Sequence, residues 1–226
     1  MSRIRRRQLL SLFLALFVNS PLQWAQEPNP TRIDARSQWQ PSPAALQQAR
    51  KSCPNLSFPA LGECFARAMQ RSGASPEAIA FTHSTANEGY LHVFVPTGPV
   101  DEAFVTYPFR ANENEGCLLV NGTPPRIDID NLHDLPQTAM QRDPAYRALA
   151  ASYPNISLWP GDRTDRRTVV AGTTSEGGQR FLVEYMLLNG CHACARVGFP
   201  RFAFDFDSGG KLSGIKFVEL RPAKPN

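Results

Sequence analysis

The sequence FPRFAFDFDSGGK at residues 199–211 carries the clearest structural signal in the chain. Phe202, Phe204 and Phe206 alternate with small or acidic residues. Because successive side chains of a β-strand point to opposite faces, this alternation predicts a half-buried strand over residues 199–207. The SGGK segment at 208–211 is typical of a tight hairpin turn, so a further strand is expected to return alongside the first.

Other β-rich runs, separated by proline and glycine turn signals, extend this pattern in both directions. Short strands between strong turn signals favour antiparallel pairing over a doubly wound parallel sheet. The runs upstream, which are expected to form a meander, are 90–95, 103–109 and 116–120. The C-terminal strands are predicted at 168–171, 180–188, 199–207 and 212–220.

Helical signals are concentrated in the N-terminal part of the chain. Ser42 before a proline predicts an N-cap at the start of a helix over 43–51, and Ser75 is an equivalent cap further on. Apolar residues at helical spacing predict a helix over 61–71, and Asp143 is the expected cap of a later helix. The predicted fold class is α+β: N-terminal helices followed by antiparallel β-sheet, as a meander plus a C-terminal hairpin. Residues 43–226 are expected to form a single domain, or two subdomains that meet near 131–143.

The N-terminus has the pattern of an export signal. Several arginines precede an apolar run at 9–18, which only Ser11 interrupts. A transmembrane helix needs about 20 apolar residues, whereas a signal peptide needs a run of this shorter length. We therefore expect residues 1–25 to be a cleaved signal peptide and 26–42 a flexible leader, in a periplasmic or secreted protein that is not integral to the membrane. A twin-arginine signal and an uncleaved anchor are the alternatives.

The net charge depends on the signal peptide. The chain has 24 basic and 20 acidic residues, and four of the basic ones, but no acidic one, lie in residues 1–25. The remaining chain carries 20 basic and 20 acidic residues and is therefore neutral. Proteins that bind nucleic acids present a basic surface to the phosphates, so a neutral chain is not expected to be one of them.

The five cysteines predict disulfide bonds, because an exported chain meets an oxidising compartment. Cys53 and Cys64 are close enough to pair across one loop, as are Cys191 and Cys194. Cys117 is then either a buried thiol or an intermolecular partner. The sequence alone leaves the connectivity open.

The tetrapeptide CHAC at 191–194 is the sharpest local signal. A histidine beside a Cys-x-x-Cys pair favours the thiolate, as in a redox centre. Thioredoxin-like centres lie near a βαβ pattern, however, whereas Gly198 and Pro200 oppose a helix after Cys194. A disulfide that constrains a loop between two strands is therefore the preferred interpretation. No second ligand pair at zinc spacing accompanies it, so neither a metal nor a cofactor is expected.

No catalytic set is visible elsewhere in the sequence. The Gly-x-Ser-x-Gly motif is absent, and the four histidines are scattered. Asp205 begins a segment that hints at a calcium loop, but Lys216 stands where the closing glutamate belongs. Arg163 and its neighbours mix both signs of charge and predict a solvated loop. We therefore expect no catalytic residue, and a binding role is favoured over an enzymatic one.

The order of features from Tyr146 to Phe217 resembles the Ivy family of periplasmic inhibitors of vertebrate-type lysozyme. The features are a helix with Tyr146 and Leu149, then Trp159, Gly161, strands at Val169 and at Phe181 and Val183, the Cys191–Cys194 loop, and a hairpin that ends at Phe217. The resemblance implies that the loop is held by a disulfide and enters the lysozyme cleft, where its histidine blocks the acidic catalytic residues. His192 corresponds by position, and Ala193 is the other residue of the expected binding loop. The family has four residues between its cysteines, whereas this chain has only these two.

These observations predict an exported, non-catalytic binding module, with inhibition of a lysozyme-type cell-wall hydrolase as the specific hypothesis. Two alternatives remain open. One is a thiol-disulfide oxidoreductase that uses Cys191 and Cys194, and the other is a structural protein of the cell envelope.

Overall fold

A computed structural model describes residues 32–53, 56–57, 59–86, 88–111 and 114–224 of the chain. The predicted signal peptide, 1–25, and the first part of the predicted leader, 26–31, lie outside the described residues. Within the described part of the chain, no helix combines the length and the apolar character needed to cross a membrane.

After a 3-10 helix at Ala35–Ser37, three α-helices follow: α1 (Pro43–Lys51), α2 (Ala60–Arg71) and α3 (Pro76–Ser84). The predicted N-caps are confirmed, because the hydroxyl of Ser42 accepts the amide of Ala45 at 3.2 Å and that of Ser75 accepts the amide of Ala78 at 3.0 Å. Each cap satisfies a helix N–H that has no partner within the helix. A disulfide between Cys53 and Cys64 connects the end of α1 to α2.

The first sheet is a four-stranded antiparallel meander in the order β1 (Tyr90–Val95), β2 (Asp101–Thr106), β3 (Glu115–Val120) and β4 (Arg126–Asp128). The first three strands confirm the predicted meander. The short β4 agrees with the alternation of Asp128 and Asp130 with Ile127 and Ile129 in the sequence, which predicts a half-exposed strand.

The second sheet has six strands and follows two helices, α4 (Gln137–Gln141) and α5 (Pro144–Ser152). Its strands are β5 (Ile156–Trp159), β6 (Val169–Thr173), β7 (Gln179–Glu184), β8 (Met186–Asn189), β9 (Arg196–Phe206) and β10 (Leu212–Pro222). Strand β9 lies between β7 and β8 on one side and β10 on the other, and all these pairs are antiparallel. Helices together with two antiparallel sheets confirm the α+β class.

The apolar face of β9 lies in a core that both sheets share. Phe202, Phe204 and Phe206 are at most 2% exposed. They belong to one buried cluster with Phe104 of β2 and Leu119 of β3. Burying a phenylalanine side chain contributes roughly 1.5–3 kcal/mol, so these three side chains contribute substantially to the core that holds the two sheets together.

The opposite face of the first sheet is covered by α3, whose Phe81 packs in a cluster with Leu91 and Val105. Residues 32–42 also pack against this part of the molecule. Trp39 is 5% exposed, contacts the ring of Tyr90 at 5.0 Å between centroids, and donates its amide to the carbonyl of Leu91 at 2.9 Å. Residues 32–42 are therefore bound to the domain and do not form the predicted flexible leader.

Two sets of buried polar contacts also connect the sheets. The side chain of Gln179 on β7 accepts the amide of Val100 at 3.0 Å and donates to the carbonyl of Val100 at 2.8 Å. Val100 immediately precedes β2, so this amide joins the second sheet to the first. Both polar ends of the glutamine are satisfied, which removes the cost of burying them.

The second set is centred on Arg163, which is 4% exposed. Its Nε donates to Asp130 Oδ1 at 2.8 Å, and its Nη1 donates to the carbonyl of Glu184 at 3.0 Å. Asp130 Oδ2 in turn accepts the amide of Cys117 at 3.1 Å. The predicted solvated loop is therefore wrong for Arg163, because a carboxylate 33 residues away accompanies its charge into the interior.

The Asp130→Ala variant is expected to lose about 3–5 kcal/mol of unfolding free energy, because it leaves the buried Arg163 guanidinium without its counter-charge. Urea unfolding followed by far-UV circular dichroism measures the loss. The matched control is Glu88→Ala, which removes the half-exposed ion pair between Glu88 and Arg110. That pair is expected to contribute less than about 1 kcal/mol. Equal losses in the two variants would contradict a structural role for the buried pair.

Candidate functional site

The connection between β8 and β9, residues 190–195, is a largely exposed segment, closed by a disulfide, that carries predicted site residues. We call it the disulfide loop. Cys191 and Cys194 are joined, with their Cα atoms 5.1 Å apart, and the amide of Cys194 donates to the carbonyl of Cys191 at 2.9 Å. At its base the amide of Asn189 donates to the carbonyl of Ala195 at 3.0 Å. Gly190 enters the loop with a φ of +101°, which a residue with a Cβ rarely adopts.

The two predicted binding residues, His192 and Ala193, lie together at the tip of this loop, and both are exposed. Beside them the ring of Trp159 meets the imidazole of His192 edge-on, with 5.4 Å between the centroids. Trp159 is the last residue of β5 and is only partly buried. An aromatic ring and a histidine are therefore presented side by side on the surface.

Strand β5 also supports the loop from below. The hydroxyl of Ser157 donates to the carbonyl of Gly190 at 3.1 Å and accepts the indole N–H of Trp159 at 2.8 Å. These two hydrogen bonds fix Trp159 relative to the loop backbone. The sequence did not identify Ser157 as a site residue, because its role depends on the pairing of β5 with β8, which no local pattern shows.

The disulfide loop carries a histidine and a disulfide as its only polar or reactive side-chain groups. Its six residues, GCHACA, contain no acidic side chain and no hydroxyl group. Within the described residues, no group of three or more His, Cys, Asp or Glu side chains is placed to hold a metal ion. An open groove of about 930 Å³ adjoins the loop and is lined by Ala195 and Arg196, among other residues.

The fifth cysteine does not belong to the disulfide loop. Cys117 of β3 is fully buried and unpaired, in the shared core close to Arg163 and Asp130. Burial raises the pKa of its thiol well above the ordinary value, against a smaller opposing effect of Arg163. Of the two possibilities that the sequence left open, this geometry corresponds to the buried thiol.

Thiol labelling is expected to find no fast-reacting cysteine in the native, unreduced protein and one reactive thiol after denaturation. The reason is that Cys117 is buried while the other four cysteines are paired. Mass spectrometry after alkylation counts the modified residues, and Cys117→Ala is the control that should reduce the denatured count to zero. Two or more thiols in the denatured, unreduced protein would contradict this pairing.

Among the residues that the structure describes, Glu102 is a buried carboxyl group without a close partner. It lies on β2, opposite Val95 and Leu119, and is 5% exposed. Its side chain forms no hydrogen bond or ion pair within the described part of the chain. Burial raises its pKa to about 7, against a smaller opposing effect of Arg166. Among the residues that the structure describes, no nucleophile or second acid is hydrogen-bonded to the Glu102 carboxyl group.

The unfolding free energy is expected to fall as the pH rises from about 4.5 to about 7. In this window the unfolded chain releases the Glu102 proton, whereas the folded protein retains it, so the higher pH favours unfolding. The Glu102→Gln variant should show a shallower fall and be the more stable protein above pH 7. Chemical unfolding at a series of pH values tests this, with the exposed Glu176→Gln as control. The same pH dependence in Glu102→Gln and the parent protein would contradict it.

No protein-family model matches the chain, and neither a curated protein nor a solved structure is significantly similar to it. The resemblance to the Ivy family therefore remains a prediction that only the residues quoted above carry. Function has to be argued from the geometry of the disulfide loop and its surroundings.

Proposed function

We propose that the chain is an exported, non-catalytic binding module that contacts a protein partner through the disulfide loop. The observation that carries this proposal is the loop itself, an exposed segment closed by Cys191 and Cys194 and fixed at its base by Ser157. A segment held in one conformation loses little entropy on binding, whereas ordering a mobile side chain costs about 0.5–1.5 kcal/mol.

The side chains at the tip suit a protein interface. Aromatic residues that are partly exposed and held rigidly are typical anchors of such contacts, and Trp159 beside His192 has this character. The loop has no acidic residue, and Arg196 follows it directly. These features support a partner whose contact surface is acidic.

A lysozyme-type cell-wall hydrolase is the partner class that we propose. Glycoside hydrolases carry a pair of carboxylic residues in an open cleft, which provides an acidic concave surface. The resemblance to the Ivy family assigns this target to a loop with a histidine between two cysteines, and His192 has that position. Two disulfides within the described residues support a periplasmic or secreted location, since such bonds persist in oxidising compartments.

The second candidate function, thiol-disulfide exchange, is favoured by the exposure of Cys191. The surroundings of Cys191 are unfavourable for it, because the pair lies between two antiparallel strands and not at a helix N-terminus that would stabilise a thiolate. Turnover in an insulin-reduction assay that disappears in Cys191→Ser would replace the binding proposal with this one.

The His192→Ala variant is expected to weaken inhibition of a vertebrate-type lysozyme by at least about tenfold, or about 1.4 kcal/mol, because it removes the side chain at the centre of the contact. The apparent inhibition constant, measured from lysis of a bacterial cell-wall suspension, gives the comparison. His133→Ala is the matched control, since His133 is exposed on the separate 3-10 helix Leu132–Asp134. If the oxidised parent protein fails to inhibit when present in excess, lysozyme is not the partner.

A further inference from the structure

The groove beside the disulfide loop is bounded by α5, the start of β9 and the end of β10. Its volume is about 930 Å³, near the upper end of the usual range for ligand sites. Apolar side chains contribute much of the lining, among them Leu149 of α5, Tyr153 directly after it, Val197 and Phe199 of β9, and Pro222 of β10. Because Ala195 also lines it, the groove is continuous with the surface of the loop.

The charged residues of the groove are unequal in sign. Arg196, Arg221 and Lys224 are basic, whereas Glu184 is acidic. The carboxylate of Glu184 is already occupied, because it accepts hydrogen bonds from Arg221 and from Arg201, the latter at 3.2 Å. The groove therefore presents an excess of positive charge, and we call it the cationic groove.

Arg196 is the basic residue whose guanidinium is most available. Its side chain is exposed, the guanidinium forms no hydrogen bond and no ion pair with the described residues, and Asp162 interacts with it only at longer range. A guanidinium can bind a carboxylate through two parallel N–H···O bonds. An unpaired arginine at the edge of an apolar floor thus matches a ligand that carries a carboxylate next to an apolar group.

A peptide fits these features better than a membrane surface does. Membrane-binding surfaces project apolar side chains outwards, but the large apolar residues that are most exposed in the described chain, Leu56, Val170 and Val218, do not line the groove. The apolar residues of the groove form a concave floor instead. Such a floor accommodates the side chains of a short extended segment.

We propose that the cationic groove binds an acidic peptide segment, with a carboxylate on Arg196 and an apolar side chain on the floor beside Leu149 and Phe199. The proposal builds on the binding function proposed for the loop, because the groove would extend the same contact surface. It names the chemistry of the partner segment that reaches beyond the loop.

Fluorescence anisotropy with labelled hexapeptides tests the groove separately from the loop. The full chain is expected to bind the acidic, apolar peptide EFDLEF. It should bind two analogues at least about tenfold more weakly. The basic analogue KFKLKF lacks the carboxylate side chains, and the acidic analogue EADAEA lacks the large apolar side chains. The affinity for EFDLEF should also fall as the salt concentration rises.

Arg196→Glu is expected to weaken binding of EFDLEF by about tenfold or more, since it replaces a charge-assisted contact with repulsion. Arg71→Glu, a reversal of an exposed charge at the end of α2, should leave it within about twofold. Both changes are on the surface, so folding is not at risk. No binding of EFDLEF at about 1 mM peptide, or equal binding by the Arg196→Glu protein, would overturn the proposal.

Two further measurements separate the possible failures. The protein is expected not to bind vesicles of phosphatidylcholine with phosphatidylglycerol. If it does bind them, and Arg196→Glu abolishes that binding, the groove is a site for anionic lipid and the peptide proposal is overturned. His192→Ala should retain its affinity for EFDLEF. If this variant no longer inhibits the hydrolase but still binds EFDLEF, the loop and the groove are confirmed as two parts of one surface. If the parent protein does not bind EFDLEF while His192→Ala still weakens inhibition, the groove proposal alone is overturned.

Discussion

The burial of one face of β9 is the constraint on which the rest of the structure depends. Its three core phenylalanines, Phe202, Phe204 and Phe206, fix which side of the strand faces the first sheet. Because a slip of one residue would turn all three outwards, the pairing register of β9 with its neighbours is strongly specified. The disulfide loop directly precedes this strand, so the same register sets its position. The proposed function therefore depends on the core that β9 shares with the first sheet.

Buried polar contacts add specificity to this apolar core. Gln179 bonds to both backbone groups of Val100, and Arg163 pairs with Asp130. Such contacts are satisfied in only one relative arrangement of the two sheets, whereas apolar side chains tolerate several. The cationic groove forms where α5, the start of β9 and the end of β10 meet. The packing of the two sheets holds these elements in place. The loop and the groove are in this sense products of the same packing.

Sequence patterns within a few residues predicted the strands and helix starts that depend on neighbouring residues alone. The alternation of phenylalanines predicted β9, and the serine caps predicted the starts of α1 and α3. Strand β5 was missed because four residues carry too little pattern, and the buried Arg163 was missed because its partner is distant in sequence. The same holds for the candidate site. Cysteine spacing predicted that His192 and Ala193 belong to a constrained loop, but the support from Trp159 and Ser157 arises from the pairing of β5 with β8.

The proposed contact requires a disulfide loop that is exposed and yet ordered, so that it would bind without first having to fold. Backbone ¹⁵N relaxation of the oxidised protein tests this directly, through the order parameters of residues 190–195. Values near about 0.85, like those of the flanking strands β8 and β9, are the predicted result. Values below about 0.6 in the oxidised protein would mean that the disulfide leaves the loop flexible. That result would contradict a preformed binding surface.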